Sequence, residues 1–159
     1  MAISGVSSDY TGRLKDISIL QSPDATLVGP QDISITFGKT AKFCAGVQKL
    51  IQKYTIILLS NIGSQPNYAD FGTSFMATIK AGISPVDKLA ATQIFAAASY
   101  KAVTTLKNYQ IKNPQLPLDE CIARAELYRI SLYNSFVAFD VKIYTDAGDV
   151  IKFLVPLPK

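Results

Sequence analysis

The chain has no histidine, only two cysteines, and charged side chains at just 18% of its 159 residues. Without histidine it lacks the usual general base near neutral pH and the commonest metal ligand. Two distant cysteines, Cys44 and Cys121, do not complete a metal-binding set. Both sit in apolar surroundings and read as small buried hydrophobes rather than as a disulfide. No basic start followed by an apolar stretch opens the sequence, which argues against a signal peptide. The longest apolar runs, such as residues 56–59, fall far short of the roughly 20 residues that a membrane span requires. The expected compartment is therefore cytoplasm. Internal repeats, low-complexity tracts and an interdomain linker are missing as well.

What is present suffices for a real core. A chain of this length is expected to form one domain that buries roughly 70% of its unfolded surface without disulfides or metal. Apolar residues make up 48%, and with so little charge to cover them some apolar surface is expected to face partners, as in an assembly component. The net charge of +4, from 16 Lys plus Arg against 12 Asp plus Glu, is dispersed. It forms no basic patch of the kind that binds nucleic acid.

Residues 1–30, rich in Ser, Gly, Asp, Thr and Pro with a brief apolar alternation at Leu14, Ile17 and Ile19, read as an extended arm ahead of a single α+β domain over residues 31–159. In residues 32–37, Ile33, Ile35 and Phe37 alternate with polar residues, the period of a half-buried strand. From Thr40 to about Leu59, Phe43, Val47, Leu50, Ile51, Tyr54, Ile57 and Leu58 recur at helical spacing, and Asn61 to Gly63 stop the run. A short helix is expected near residues 72–80. Ser84, Pro85 and Asp87 have the chemistry of a second main helix start, with serine as cap, proline at the first turn and an acid at its third position. Val86, Leu89, Ala90, Ile94, Ala97, Val103 and Leu106 would form its apolar face until Pro114 and Pro117 end it. Residues 122–133, 136–145 and 150–155 read as a three-stranded antiparallel meander, with hairpin chemistry at 134–135 and 146–149. Val137, Phe139, Val141 and Ile143 make its inward face, opposite Asp140, Lys142 and Tyr144. Pro156 and Pro158 cannot serve an internal ladder.

Chemistry-bearing motifs are few. Gly38-Lys39-Thr40 follows an expected strand and opens an expected helix, but Ile33 stands where a phosphate-binding loop needs its first glycine, so the backbone cradle is absent. The acidic pairs Asp119/Glu120 and Asp146/Asp149 would have to face one cleft, with one carboxyl kept protonated, to act as a glycosidase. An element start after Pro117 and a hairpin turn account for them more simply. The terminal strand, Val150, Ile151, Lys152, Phe153, Leu154 and Val155, leaves an edge that can accept another chain by strand addition. On the residues alone, an ordinary edge protected by Lys152 and Pro156 is the simpler reading.

One stretch carries an identity. In residues 56–75, IILLSNIGSQPNYADFGTSF, an apolar helix end meets Asn-x-Gly-x-x-Pro and then Asp-Phe-Gly. This resembles the signature of the sheath-initiator baseplate wedge proteins of contractile phage tails, a family whose members have sometimes been labelled lysozymes. Gly63, Pro66, Asp70, Phe71 and Gly72 match that pattern, while Ser64 and Gln65 replace its usual Glu-Arg, so an ionic contact there does not carry over. Glu120 and Arg124 are further wedge-contact candidates, standing in for a Glu-Pro-Arg motif without its proline. With the residue patterns above, the reading is a non-enzymatic α+β protein without cofactor. Its fold would comprise an N-terminal arm and strand, two main helices and a short one, and a C-terminal three-stranded antiparallel sheet with an open edge. The resemblance implies a virion protein of the tail baseplate, assembled in host cytoplasm, that docks through the Gly63 to Gly72 turn on wedge proteins beside tail tube or hub proteins in a sixfold assembly. Its edge strand would template and anchor the first ring of tail sheath protein by strand exchange, with no role for nucleic acid or membrane. An added strand of roughly ten residues would span about 33 Å. An adaptor domain in an unrelated assembly and a lysozyme-like glycosidase are the alternatives.

Overall fold

Period-two alternation builds the sheet. In the computed structural model, which describes residues 12–19, 43–81, 87–133 and 136–158, two short strands come first: β1 (Asp16–Ile17) pairs antiparallel with β2 (Phe43–Cys44). Helices α1 (Val47–Leu59), α2 (Phe75–Lys80) and α3 (Lys88–Lys112) follow, then a 3₁₀ turn (Leu118–Glu120). The chain closes with β3 (Ile122–Leu132), β4 (Phe136–Thr145) and β5 (Val150–Pro158), an antiparallel sheet in the order β3-β4-β5. This is an α+β fold with a C-terminal three-stranded sheet. The expected strand over residues 32–37, the Gly38-Lys39-Thr40 turn, Ser84 to Val86 and the turn at 134–135 lie outside the described residues. No described helix is long and apolar enough to cross a membrane.

The helices cover one face of the sheet. Val137, Phe139, Val141 and Ile143 of β4 and Ile151, Phe153, Val155 and Leu157 of β5 are buried against Val47, Leu50, Tyr54 and Leu58 of α1 and Ala91, Phe95, Ala98 and Ala102 of α3. Aromatic rings knit these layers together. Phe139 lies stacked against Phe95 with centroids 5.6 Å apart and meets Phe75 edge-on at 5.4 Å, while Tyr54 meets Phe153 edge-on at 5.9 Å. Such geometries add to the area they bury. The Tyr54 hydroxyl lies 2.7 Å from Ser99 Oγ. Burial pushes its ionisation up to about 12, with the Ser99 hydrogen bond acting in the opposite direction. Cys44 and Cys121 are buried and free, and burial raises both thiols above their ordinary value.

Three sequence expectations are corrected. The first helix begins at Val47, not near Thr40, because Gly46 turns the chain with φ +59° and residues 43–44 are committed to β2. The second main helix is capped by Asp87, whose carboxylate accepts from the Leu89 and Ala90 amides at 3.1 and 3.2 Å, so Asp87 is the cap and not an acid of the first turn. The buried stripe of α3 runs through Ala91, Phe95, Ala98, Ala102 and Leu106, leaving Leu89 71% exposed and Ala97 in solvent. Apolar residues surround this helix, so spacing alone does not choose its inner face.

Phe139→Ala is expected to cost about 3–5 kcal/mol, since it empties the site shared by Phe75 and Phe95, whereas Leu89→Ala should stay within about 0.5 kcal/mol. Urea denaturation with an unchanged slope measures both.

Candidate functional site

Two features stand out from the scaffold: the edge of β5, which among the described residues pairs with β4 alone, and the loop that joins α1 to α2. The edge follows from hydrogen-bond parity. Thr145 N–H donates to the Asp149 carbonyl at 3.0 Å, closing the β4–β5 turn as a hydrogen-bonded pair. Antiparallel pairs alternate, so 143/151, 141/153, 139/155 and 137/157 are hydrogen-bonded pairs in the uninterrupted register that follows. The N–H and C=O groups of Val150, Lys152 and Leu154 therefore point away from β4. Pro156 and Pro158 fall on the same outward parity, where a missing N–H costs the ladder nothing. Side chains obey the same alternation: Ile151, Phe153 and Val155 enter the core, while Val150 and Leu154 remain 49% and 39% exposed. The prolines also shorten the usable edge. Outward donors stop at Leu154, so the stretch able to bond in both directions covers five residues, about 17 Å, rather than the ten anticipated.

The sheet's other edge is less regular. β3 loses register with β4 between Ile122 and Arg124 and again between Leu127 and Arg129. Such bulges twist an edge and interrupt pairing. Among the described residues, β5 is the long edge with an unbroken register.

The second feature holds Gly63, Pro66, Asp70, Phe71 and Gly72. Its base is tied by short bonds: Thr73 N–H to the Ser60 carbonyl at 2.8 Å, Thr73 Oγ1 to the Leu58 carbonyl at 2.7 Å, and Ile62 N–H to the Thr73 carbonyl at 3.1 Å. A Cβ on Gly72 would lie 2.6 Å from the Ser60 carbonyl oxygen, and φ there is +96°, so glycine is required on both counts. Gly63 needs only the left-handed conformation, φ +74°. Residues 61–70 are all exposed, including Ile62 and Tyr68, whereas Phe71 packs on the core. The result is a loop with a fixed base and a solvent-facing tip carrying Pro66 and Asp70.

Glu120 and Arg124 are not brought together. Glu120, only 6% exposed, binds Lys49 Nζ at 3.0 Å and accepts from the Gly46 amide at 3.1 Å, while Lys49 also donates to the Leu14 carbonyl. Its carboxylate ties the 3₁₀ turn to the start of α1. Asp119 is held by Arg13. Asp149 accepts from Thr145 Oγ1 within its hairpin. Arg124 lies exposed on the outer face of the sheet over the Tyr144 ring, 3.4 Å from Glu126. Among the described residues, no three His, Cys, Asp or Glu side chains gather where a metal ion could sit.

The sequence did not expose that outer face. Tyr128, Lys142 and Lys152 meet there, with both lysine ammonium groups over the Tyr128 ring at 4.0 and 5.3 Å. The signal lay in the strand register, which sets Lys142 opposite Lys152. Comparison with protein-family models, curated proteins and solved structures finds no match to this chain.

Gly72→Ala is expected to destabilise by more than about 2 kcal/mol, adding carbonyl overlap to the left-handed strain that Gly63→Ala incurs alone at about 1–2 kcal/mol. Chemical denaturation should rank them in that order. Lys49→Met, which leaves the Glu120 carboxylate buried without its cation, should cost about 3–5 kcal/mol by the same measurement.

Proposed function

We propose that this chain is a structural component of a contractile-tail baseplate that anchors the first ring of sheath subunits through strand addition at β5 and docks on wedge proteins through the loop at residues 61–72. The observation that carries the reading is the outward parity of Val150, Lys152 and Leu154 on an uninterrupted edge. Exposed donors and acceptors in a row are what an extended segment of another chain needs, and main-chain bonds in series make a tether suited to mechanical load. The Gly63, Pro66, Asp70, Phe71 and Gly72 pattern supports the same reading from sequence. A loop with a hydrogen-bonded base and exposed apolar side chains at Ile62 and Tyr68 is fit to dock with little ordering cost.

The mechanism is mechanical rather than chemical. Helices α1 and α3 hold β5 from its inner face, so a pull on an added strand is transmitted through Ile151, Phe153 and Val155 into the core. Asp119 and Glu120, the candidate glycosidase pair, are each engaged by a cation.

Truncation before Val150 would remove four core side chains, so proline substitution is the cleaner probe. Val150→Pro and Leu154→Pro each delete an outward donor while sparing every bond to β4. Both variants should keep a cooperative melt and lose co-purification with the sheath protein encoded beside this chain. Retained binding by both would refute strand addition. Absence of binding even by the unaltered chain would refute the sheath-anchoring role and favour an adaptor in another assembly.

A further inference from the structure

Charge on the outer face of the sheet restricts what can be added to β5. Lys142 and Lys152 stand directly opposite one another in a pair that makes no hydrogen bonds to each other, the closer of the two antiparallel spacings. Like charges so placed repel. Both ammonium groups converge on the Tyr128 ring, which supplies cation–π attraction to each.

The neighbouring carboxylates are already committed. Glu126, the cross-strand partner of Lys142, accepts from Tyr144 Oη at 2.9 Å and sits 3.4 Å from Arg124 Nε. Asp140 is bound by Arg129 Nε at 2.8 Å. Among the described residues, neither lysine forms an ion pair. Lys152 is moreover one of the outward-bonding residues, so the residue paired with it on an added strand would rise on the same face, within reach of both ammonium groups.

Building on the strand-addition reading, we infer that the segment received by β5 carries an acidic side chain opposite Lys152, with apolar side chains continuing the inner face beside Ile151 and Phe153. The row Tyr128, Lys142, Lys152 then ends on a carboxylate that relieves the lysine repulsion. The outward donors at Val150, Lys152 and Leu154 fix the length of that segment at about five paired residues. The prolines beyond stop it from running on, so backbone bonding supplies the attachment and the lysine pair selects partner and register.

The test appends a surrogate for the added strand to the full chain after Lys159: a flexible glycine-serine linker and a seven-residue strand with valine at its inward positions. Its outward positions are all glutamate in one version and all lysine in another, and a linker-only chain serves as control. The glutamate version should melt highest, about 2–4 °C above the lysine version. That difference should vanish in about 1 M salt and in a Lys142→Gln, Lys152→Gln background, and the gain over linker alone should vanish with Val150→Pro. Equal melting of the two versions, both above the linker control, would overturn the acidic selection and leave strand addition standing. A lysine version that melted above the glutamate version would overturn the acidic selection in the same way. No gain by either version over the linker control would overturn strand addition and this inference with it.

Discussion

Parity in β5 is the constraint on which the rest of the molecule depends. In an antiparallel strand the residue that turns its side chain inward and the residue that turns its backbone groups outward are fixed together, and here they alternate without a break. Ile151, Phe153, Val155 and Leu157 face the core while the side chains of Val150, Lys152 and Leu154 face solvent. A shift by one residue would bury Lys152 and place Pro156 and Pro158 where β4 needs donors. The strand can therefore be firmly held on one side and available on the other.

The remaining elements secure that strand. Phe139 joins the middle strand to Phe75 of α2 and Phe95 of α3, and Tyr54 of α1 reaches Phe153 on β5 itself. The Lys49–Glu120 pair and the Gly46 amide lock the start of α1 to the turn that leads into β3. The segment around β1 adds hydrogen bonds to Gln52 and an ion pair from Arg13 to Asp119. With the helices gathered on one face, the other face keeps its Tyr128, Lys142 and Lys152 cluster in solvent.

Much of this was legible in the sequence where one local rule acts alone. Alternation at Val137, Phe139, Val141 and Ile143 marked β4, glycine and aspartate marked the hairpin at 146–149, and the two main helices were readable from apolar spacing. Local rules failed where several positions satisfied them equally. Apolar residues all round α3 hid which stripe Phe95 and Ala102 would bury, and helical spacing ran on through Phe43 because nothing local revealed the left-handed turn at Gly46. Long-range partners were beyond reach altogether. Glu120 looked like an exposed acid at an element start, yet its partner Gly46 lies 74 residues away in the chain. For the candidate site, the edge residues and the Gly72 turn were recognisable, whereas the proline limit on usable donors and the paired lysines needed the strand register.

Residue-resolved amide hydrogen exchange on the full chain, alone and then mixed with the sheath protein proposed to bind it, tests the central claim most directly. In the free protein the Val150, Lys152 and Leu154 amides should exchange orders of magnitude faster than those of Ile151, Phe153 and Val155, and should become protected in the mixture. Equal protection of all six in the free protein would mean that the edge is already occupied, and the account built on it would be contradicted.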